Sequence, residues 1–271
     1  MKRDRRSGVS LLNVLAVVAV GASLVQVMLR DQDASILHLE DTNDAAQAHA
    51  LAKGGITSVA VALRHDTKES PDVDHLNEPW TRAAQDRIAL DFGAFEVSIE
   101  DARGKFDLNA LQPAALAESR VFSALLVTLD LPAVLTSQIT QIVSQHGPLT
   151  DPEILLAHGF APSDVDRLLP HVTATLTPGP LNLNSVSEPL MVALTSNPTA
   201  ARVLIARRTA QGELKANDFA ALGLPQPQLA GYTSETFDVR VLASVGDASA
   251  MLARRLVRDP DTGAIQRLTL P

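Results

Sequence analysis

Met1-Lys2-Arg3-Asp4-Arg5-Arg6-Ser7-Gly8, followed by Val9-Ser10-Leu11-Leu12-Asn13-Val14-Leu15 and on without a single charge to Leu29, is the stretch from which the rest of the chain is read. At about 1.5 Å per helical residue, the run from Val9 to Leu29 is roughly 31 Å long, close to the ~30 Å hydrocarbon thickness of a bilayer. Its polar members, Ser10, Asn13, Ser23 and Gln26, are uncharged and are tolerated because a helix satisfies its own backbone. Lys2, Arg3, Arg5 and Arg6 precede the run, whereas Arg30, Asp31 and Asp33 follow it. This bias places the N-terminus on the cytoplasmic side and the body of the chain beyond the membrane. A secretory signal peptide has a similar layout, but its apolar core is about 7–15 residues long and is cut at its far end. Here the run is longer, and Ser7-Gly8 joins the basic leader directly to it.

The remaining composition describes a folded body. The chain has 271 residues, 46% of them hydrophobic, enough for one large or two small domains with a sizeable core. Its net charge is −8, from 23 Lys and Arg against 31 Asp and Glu. Loss of residues 1–8 removes four basic residues and one acidic residue and leaves 19 against 30, a charge of −11. Such a body lacks the electrostatic footprint of a general nucleic-acid surface. There is no Cys, so disulfides and thiolate metal sites are excluded. With one Trp, one Tyr and seven Phe, the core must be built from Leu, Ala and Val.

Beyond the span, Ala45, Ala48, Ala52, Ile56, Val59 and Leu63 recur every three or four positions, which predicts one buried stripe on a helix continuing to about Arg64. Gly54-Gly55 weakens that helix by about 1 kcal/mol per glycine relative to alanine. Asp66 to Pro79, carrying Asp66, Glu69, Asp72, Asp74 and Glu78, reads as an acidic, solvated loop. A calcium site is the alternative reading, and the solvated loop is preferred because no fixed ligand spacing is present. Trp80, the only tryptophan, is expected to anchor the core. Phe92 to Ile99 alternates like a half-buried strand, and Glu100 to Leu111 reads as a turn and an extended piece whose acidic residues cap local backbone.

From Pro113 to Leu229 the pattern changes to short helices between turns, with Ser163 an expected N-cap and no strand signal. Phe237 to Ala243 and Met251 to Val257 alternate again, Asp259-Pro260-Asp261-Thr262-Gly263 is a turn, and Ile265 to Leu270 closes the chain as a strand. The fold expected is α+β: a long N-terminal helix on an antiparallel sheet that is completed across a large all-α insertion.

Catalytic patterns are missing. His38, His49, His65, His75, His146, His158 and His171 are scattered in sequence, and there is no His-Glu-x-x-His pair, Gly-x-Ser-x-Gly elbow or phosphate loop.

The short basic leader ending at Gly8 resembles that of type IV pilin-like proteins, with Val9 as the first mature residue. Most of that superfamily carries Glu at the fifth mature position, where this chain has Asn13. The K-type minor pseudopilins of type II secretion usually lack that Glu. Two further segments are similar to that branch: Asp74 to Trp80, and the pair Gly104-Lys105-Phe106-Asp107-Leu108-Asn109-Ala110-Leu111 with Leu181-Asn182-Leu183-Asn184. The resemblance implies a leader over residues 1–8, a transmembrane helix over 9–29, a pilin-like α/β domain from 30–112 and 230–271, and an inserted α-domain over 113–229. It implies a non-enzymatic subunit, cut between Gly8 and Val9 by prepilin peptidase, with methylation of the new N-terminus. The subunit would be anchored once in the inner membrane of a Gram-negative bacterium with its bulk in the periplasm. Its place would be the pseudopilus tip, beside the I-, J- and H-type minor pseudopilins and within reach of the secretin and secreted cargo.

Asn13 supplies a physical reason for the tip. In the family's packing, the Glu pairs with a neighbour's free amine inside lipid, where an unpaired charge is costly. Asn offers no such charge to a subunit above. A second resemblance runs to the helix-hairpin-helix unit of competence DNA receptors, through Leu181-Asn182-Leu183-Asn184, Arg207-Arg208 and Asn217-Asp218-Phe219. The hairpin position, Ser196-Asn197-Pro198-Thr199, lacks the glycines that bring backbone donors to phosphate, and Pro198 removes one donor.

Overall fold

The computed structural model describes residues 6–270. One helix, α1 (Arg6–Glu69), takes up the first quarter of the chain, 64 residues and roughly 96 Å. Strands β1 (Gln85–Leu90) and β2 (Gly93–Asp101) follow, then the two-residue strand β3 (Phe106–Asp107). Helices α2 (Leu116–Thr128), α3 (Val134–His146), α4 (Ile154–Ala157) and α5 (Pro162–Leu168) lead to β4 (Val172–Thr173) and β5 (Leu181–Asn182). Helices α6 (Glu188–Thr195), α7 (Pro198–Gln211) and α8 (Ala216–Ala220) lead to β6 (Ala230–Gly231), and β7 (Thr236–Val245), β8 (Ala248–Arg258) and β9 (Ile265–Thr269) end the chain.

The main sheet has the order β1-β2-β7-β8-β9, with every neighbouring pair antiparallel. Its central pairing, from Gly93↔Val245 to Asp101↔Phe237, joins strands from either side of the helical region. On the face toward α1, Val97, Phe237, Val239, Val241, Ala243 and Leu256 are buried with Ala52, Ile56, Val59, Ala60 and Leu63 of the helix. Alternation on strands and a three-to-four spacing on the helix bring these side chains together. Trp80 is fully buried in this core, edge-on to Phe237 at 5.1 Å between ring centres. A second core lies within the helical region and includes Phe122, Leu125, Leu126, Ile139, Leu155, Leu190, Leu204 and Phe219. Phe106, Leu108 and Leu111, just after the sheet, pack into that second core.

Several expectations are corrected. The helix runs five residues past Arg64, and Ala45 is exposed, so the buried stripe begins at Ala48. Gly54-Gly55 lies inside this helix with a packing role: a Cβ at Gly55 would lie 2.9 Å from Val241 Cγ1, so the missing side chain lets the helix approach β7 closely. β1 had no sequence signal, because Gln85-Asp86-Arg87 is polar and the strand is an exposed edge. Phe92 lies in the preceding turn and is exposed. The helical region is not all-α: β4 pairs in parallel with β3, and β5 with β6, each over two residues too short to show alternation. Ser163 is not the N-cap of α5, since Ala161 holds that position and Pro162 begins the helix.

Candidate functional site

The site has two parts: the exposed half of α1, and the buried polar junction that fastens its other end. Gly8 and Val9 lie on the backbone of α1, while residues 1–5 of the expected leader lie outside the described residues. Asn13 is exposed, as are Val14, Leu15, Val17, Val18, Val20, Leu24, Val25, Val27, Met28 and Leu29. Ile36, Leu37 and Leu39 extend this apolar surface beyond the first acidic residues. One helix thus offers a full turn-by-turn apolar span to a membrane or to neighbouring helices, and only from Ala48 onward turns one side to its own domain.

At the far end, Asp66, Asp74 and Glu78 are buried, which overturns the reading of a solvated loop; Glu69 and Asp72 are exposed as expected. Arg258 of β8 reaches into them. Its guanidinium donates to Asp66 Oδ2 at 2.8 Å, to both oxygens of Asp74 at 2.6 Å and to the Ser234 carbonyl at 2.7 Å. Its face lies 5.3 Å from the centre of the Phe237 ring. Glu78 Oε2 accepts from Trp80 Nε1 at 2.9 Å and from the His75 amide at 2.8 Å. Among the described residues no donor reaches the buried Glu78 Oε1, the oxygen best placed to carry a proton. Burial pushes the Asp74 carboxyl up to about 6 despite Arg258 beside it. Burial also raises Asp66, with the charge of Glu78 adding to it, and raises Glu78. For Arg258, burial acts to lower the pKa, but Asp74 and Asp66 outweigh it and hold the guanidinium above its ordinary value.

These three carboxylates lie within 4.8 Å of one another through their oxygens. They do not fit a calcium ion as arranged, because Asp66 and Asp74 direct their lone pairs at the fixed cation Arg258. Asp259 is also committed: its Oδ1 accepts from the amides of Asp261 and Thr262 and from the Thr262 hydroxyl, closing a turn.

Two of the segments that carried the family resemblance, Asp74 to Trp80 and Leu181 to Asn184, meet here. Asn182 Nδ2 donates to the Asp74 carbonyl at 3.0 Å and to Asp101 Oδ2 at 2.8 Å, and Ser234 donates its amide to Asp74 Oδ2 and its hydroxyl to Asp101. Arg255, three residues before Arg258, forms a two-pronged pair with Asp238 and also donates to Thr173 and to the Ala174 carbonyl, tying β8 to the helical region.

Asp107-Leu108-Asn109 and Asn182-Leu183-Asn184 play parallel parts. Asp107 Oδ1 accepts from the Asn109 amide, and Asn182 Oδ1 from the Asn184 amide, at 3.0 Å in both. Asn109 Oδ1 accepts from the Leu149 amide and Asn184 Oδ1 from the Leu214 amide, at 2.7 Å in both. Each unit then runs through a helical hairpin and short helices, α4 and α5 in the first and α8 alone in the second, to a strand that pairs back in parallel. The helical region is therefore built twice over on one plan, which the repeated (Asp/Asn)-Leu-Asn triplet already signalled in the sequence and which periodicity alone did not reveal.

With this geometry in view, the chain can be set against known proteins. No family model matches it. It is 25% identical to type II secretion system protein K of Pseudomonas aeruginosa, over 96% of this chain and 91% of that protein. The chain is a homologue of type II secretion system protein K. The protein of that name from Klebsiella pneumoniae is 29% identical over half of this chain and 44% of its own length. Among solved structures, a chain of the GspK–GspI–GspJ complex from the type 2 secretion system of enterotoxigenic Escherichia coli matches with a TM-score of 0.66. That match covers 85% of this chain and 97% of the other at 17% identity, and establishes the α+β fold of the homologue: a long N-terminal helix on a five-stranded antiparallel sheet with a helical region.

Proposed function

We propose that this K-type minor pseudopilin of type II secretion sits at the tip of the pseudopilus, where it helps to start or cap assembly for export of folded proteins across the outer membrane. The observation that carries the reading is the similarity to protein K along nearly the whole chain, with the exposed apolar half of α1 as its physical counterpart. Leader cleavage between Gly8 and Val9 leaves a helix that packs with its neighbours, while the helical region spanning 113–229 rides on the pilin-like parts, 30–112 and 230–271. The solved relative is a complex with GspI and GspJ, and corresponding subunits are the partners proposed for this chain. Asn13, lacking the carboxylate, gives no charged partner to a subunit above it. A role as a structural subunit anchored in the inner membrane accounts for the chain without any enzymatic chemistry.

DNA binding is the weaker reading on the same residues. Arg207 pairs with Asp218 at 2.9 Å, Arg208 donates to the Leu183 and Val186 carbonyls, and Arg202 to the Pro198 carbonyl. The α6–α7 turn is closed by Asn197, which accepts from the Ala200 amide. These arginines serve the fold.

Co-expression of the full chain with prepilin peptidase and the I- and J-type minor pseudopilins of its own system tests the proposal. The expected result is a stable complex in which the mature chain begins at Val9; no complex, or an uncut N-terminus, overturns it. Asn13→Glu is expected to alter pseudopilus length or tip stoichiometry. Unchanged filaments would remove Asn13 from the explanation.

A further inference from the structure

The fold brings together two of the seven histidines that lie scattered in the sequence. His146 is the last residue of α3, and His158 follows the last residue of α4. Each is succeeded by a glycine at positive φ, Gly147 at 87° and Gly159 at 83°, which turns the chain away and leaves the imidazole at the helix end. Both side chains are exposed, their ring centres are 5.1 Å apart, and the ring planes are inclined at 62°.

Three features make this pair more than a packing contact. Nδ1 of His146 lies 3.3 Å from the Ile142 carbonyl. A carbonyl only accepts, so Nδ1 carries a proton, and in the neutral imidazole this leaves the Nε2 lone pair for a metal, with the other nitrogen held by backbone. The separation also fits. With a Zn–N bond of about 2.05 Å, a ring centre about 1.15 Å beyond the nitrogen and a tetrahedral angle, two ligating imidazoles have centres roughly 5.2 Å apart. Finally, the C-terminal end of α3 places the partial negative charge of its last carbonyls beside the pair, which favours a cation.

We infer that His146 and His158 form a two-imidazole site for a borderline divalent transition cation of the Zn2+ or Ni2+ class, with water completing the coordination shell. Oxygen-seeking Ca2+ and Mg2+ are poor matches for two nitrogens. A bound cation ties the end of α3 to the end of α4 across the loop whose Leu149 is already held by Asn109.

The full chain, purified in detergent without a histidine tag and stripped with EDTA, is titrated with Zn2+. One equivalent is expected to bind, with excess Ca2+ failing to displace it. His146→Gln and His158→Gln are each expected to weaken binding by at least about tenfold, while His49→Gln, on α1, leaves it unchanged. Misfolding alone would also abolish binding, so far-UV circular dichroism accompanies each variant. In the unaltered chain, Ni2+ should selectively broaden the proton resonances of two of the seven histidines. No stoichiometric Zn2+ uptake, uptake retained by either variant, displacement by Ca2+, or broadening spread over other histidines would overturn the assignment.

Discussion

Arg258 is one cation among three buried carboxylates, so the balance of charge at the junction turns on this residue. Replacing it with Met keeps much of the volume but strands Asp66 and Asp74 without their partner. Urea unfolding of Arg258→Met is expected to show a loss of about 3–5 kcal/mol, the usual consequence of breaking a buried pair. The pH dependence has a definite sign. Asp74 is raised from 3.8 to about 6 in the folded chain, so between those values the native state holds a proton that the unfolded chain has released. Its contribution is therefore fully present below about pH 4 and is lost as pH rises through 6, by up to about 1.4 kcal/mol per unit. Comparing Asp74→Asn with the unaltered chain across pH 4–7 isolates this slope, which the variant should lack. Asn109 is a second such point. Asn109→Ala removes three hydrogen bonds to Leu149 and Thr175, and a drop of about 2–4 kcal/mol is expected in the same assay.

The two adjacent glycines of α1 face different surroundings. Nothing lies within 4 Å of a Cβ built on Gly54, whereas one on Gly55 meets Val241. Gly54→Ala should raise stability by about 0.5–1 kcal/mol. Gly55→Ala should lower it, and Val241→Ala should relieve that loss; thermal melts of the single and double variants check the coupling. The same helix shows what could be read in advance and what could not. Its apolar span and its stripe from Ala48 to Leu63 are properties of spacing along one element, and both are visible in the sequence. So are β7, β8 and their turns, because a long alternating strand writes its period into its residues. β1 and the two-residue strands β3 to β6 are too polar or too short to carry a period. The acidic segment misled because burial of Asp66 and Asp74 depends on Arg258, more than 180 positions away, and local composition says nothing of a distant counter-charge. The His146–His158 pair escaped for the same reason: only the fold places the ends of α3 and α4 together.

At the scale of the whole molecule, two apolar cores meet across a polar seam made by Asp74, Asp101, Asn182, Ser234 and Arg258. Trp80 is the only tryptophan and lies in the sheet core, whereas much of the helical signal comes from outside it. In the unaltered chain, tryptophan fluorescence and circular dichroism at 222 nm should report coincident unfolding transitions in urea. With Arg258→Met the fluorescence transition should move to lower urea and separate from the other, while coincident curves would show that the seam does not couple the cores. The pairing of β2 with β7 carries a consequence in time. Asp101 and Phe237 face each other across the sheet with 135 residues between them, so closing the sheet directly from an extended chain would cost a long loop. Once the helical region has condensed, its own parallel pairs bring Phe106 and Gly231 to the same side of the molecule, and the ends that remain to be joined are only a few residues each. The helical region then acts as a scaffold for its host. Because the chain is synthesised from its N-terminus, the strands β7 to β9 are made last, so the sheet remains open until the helices between its halves are in place.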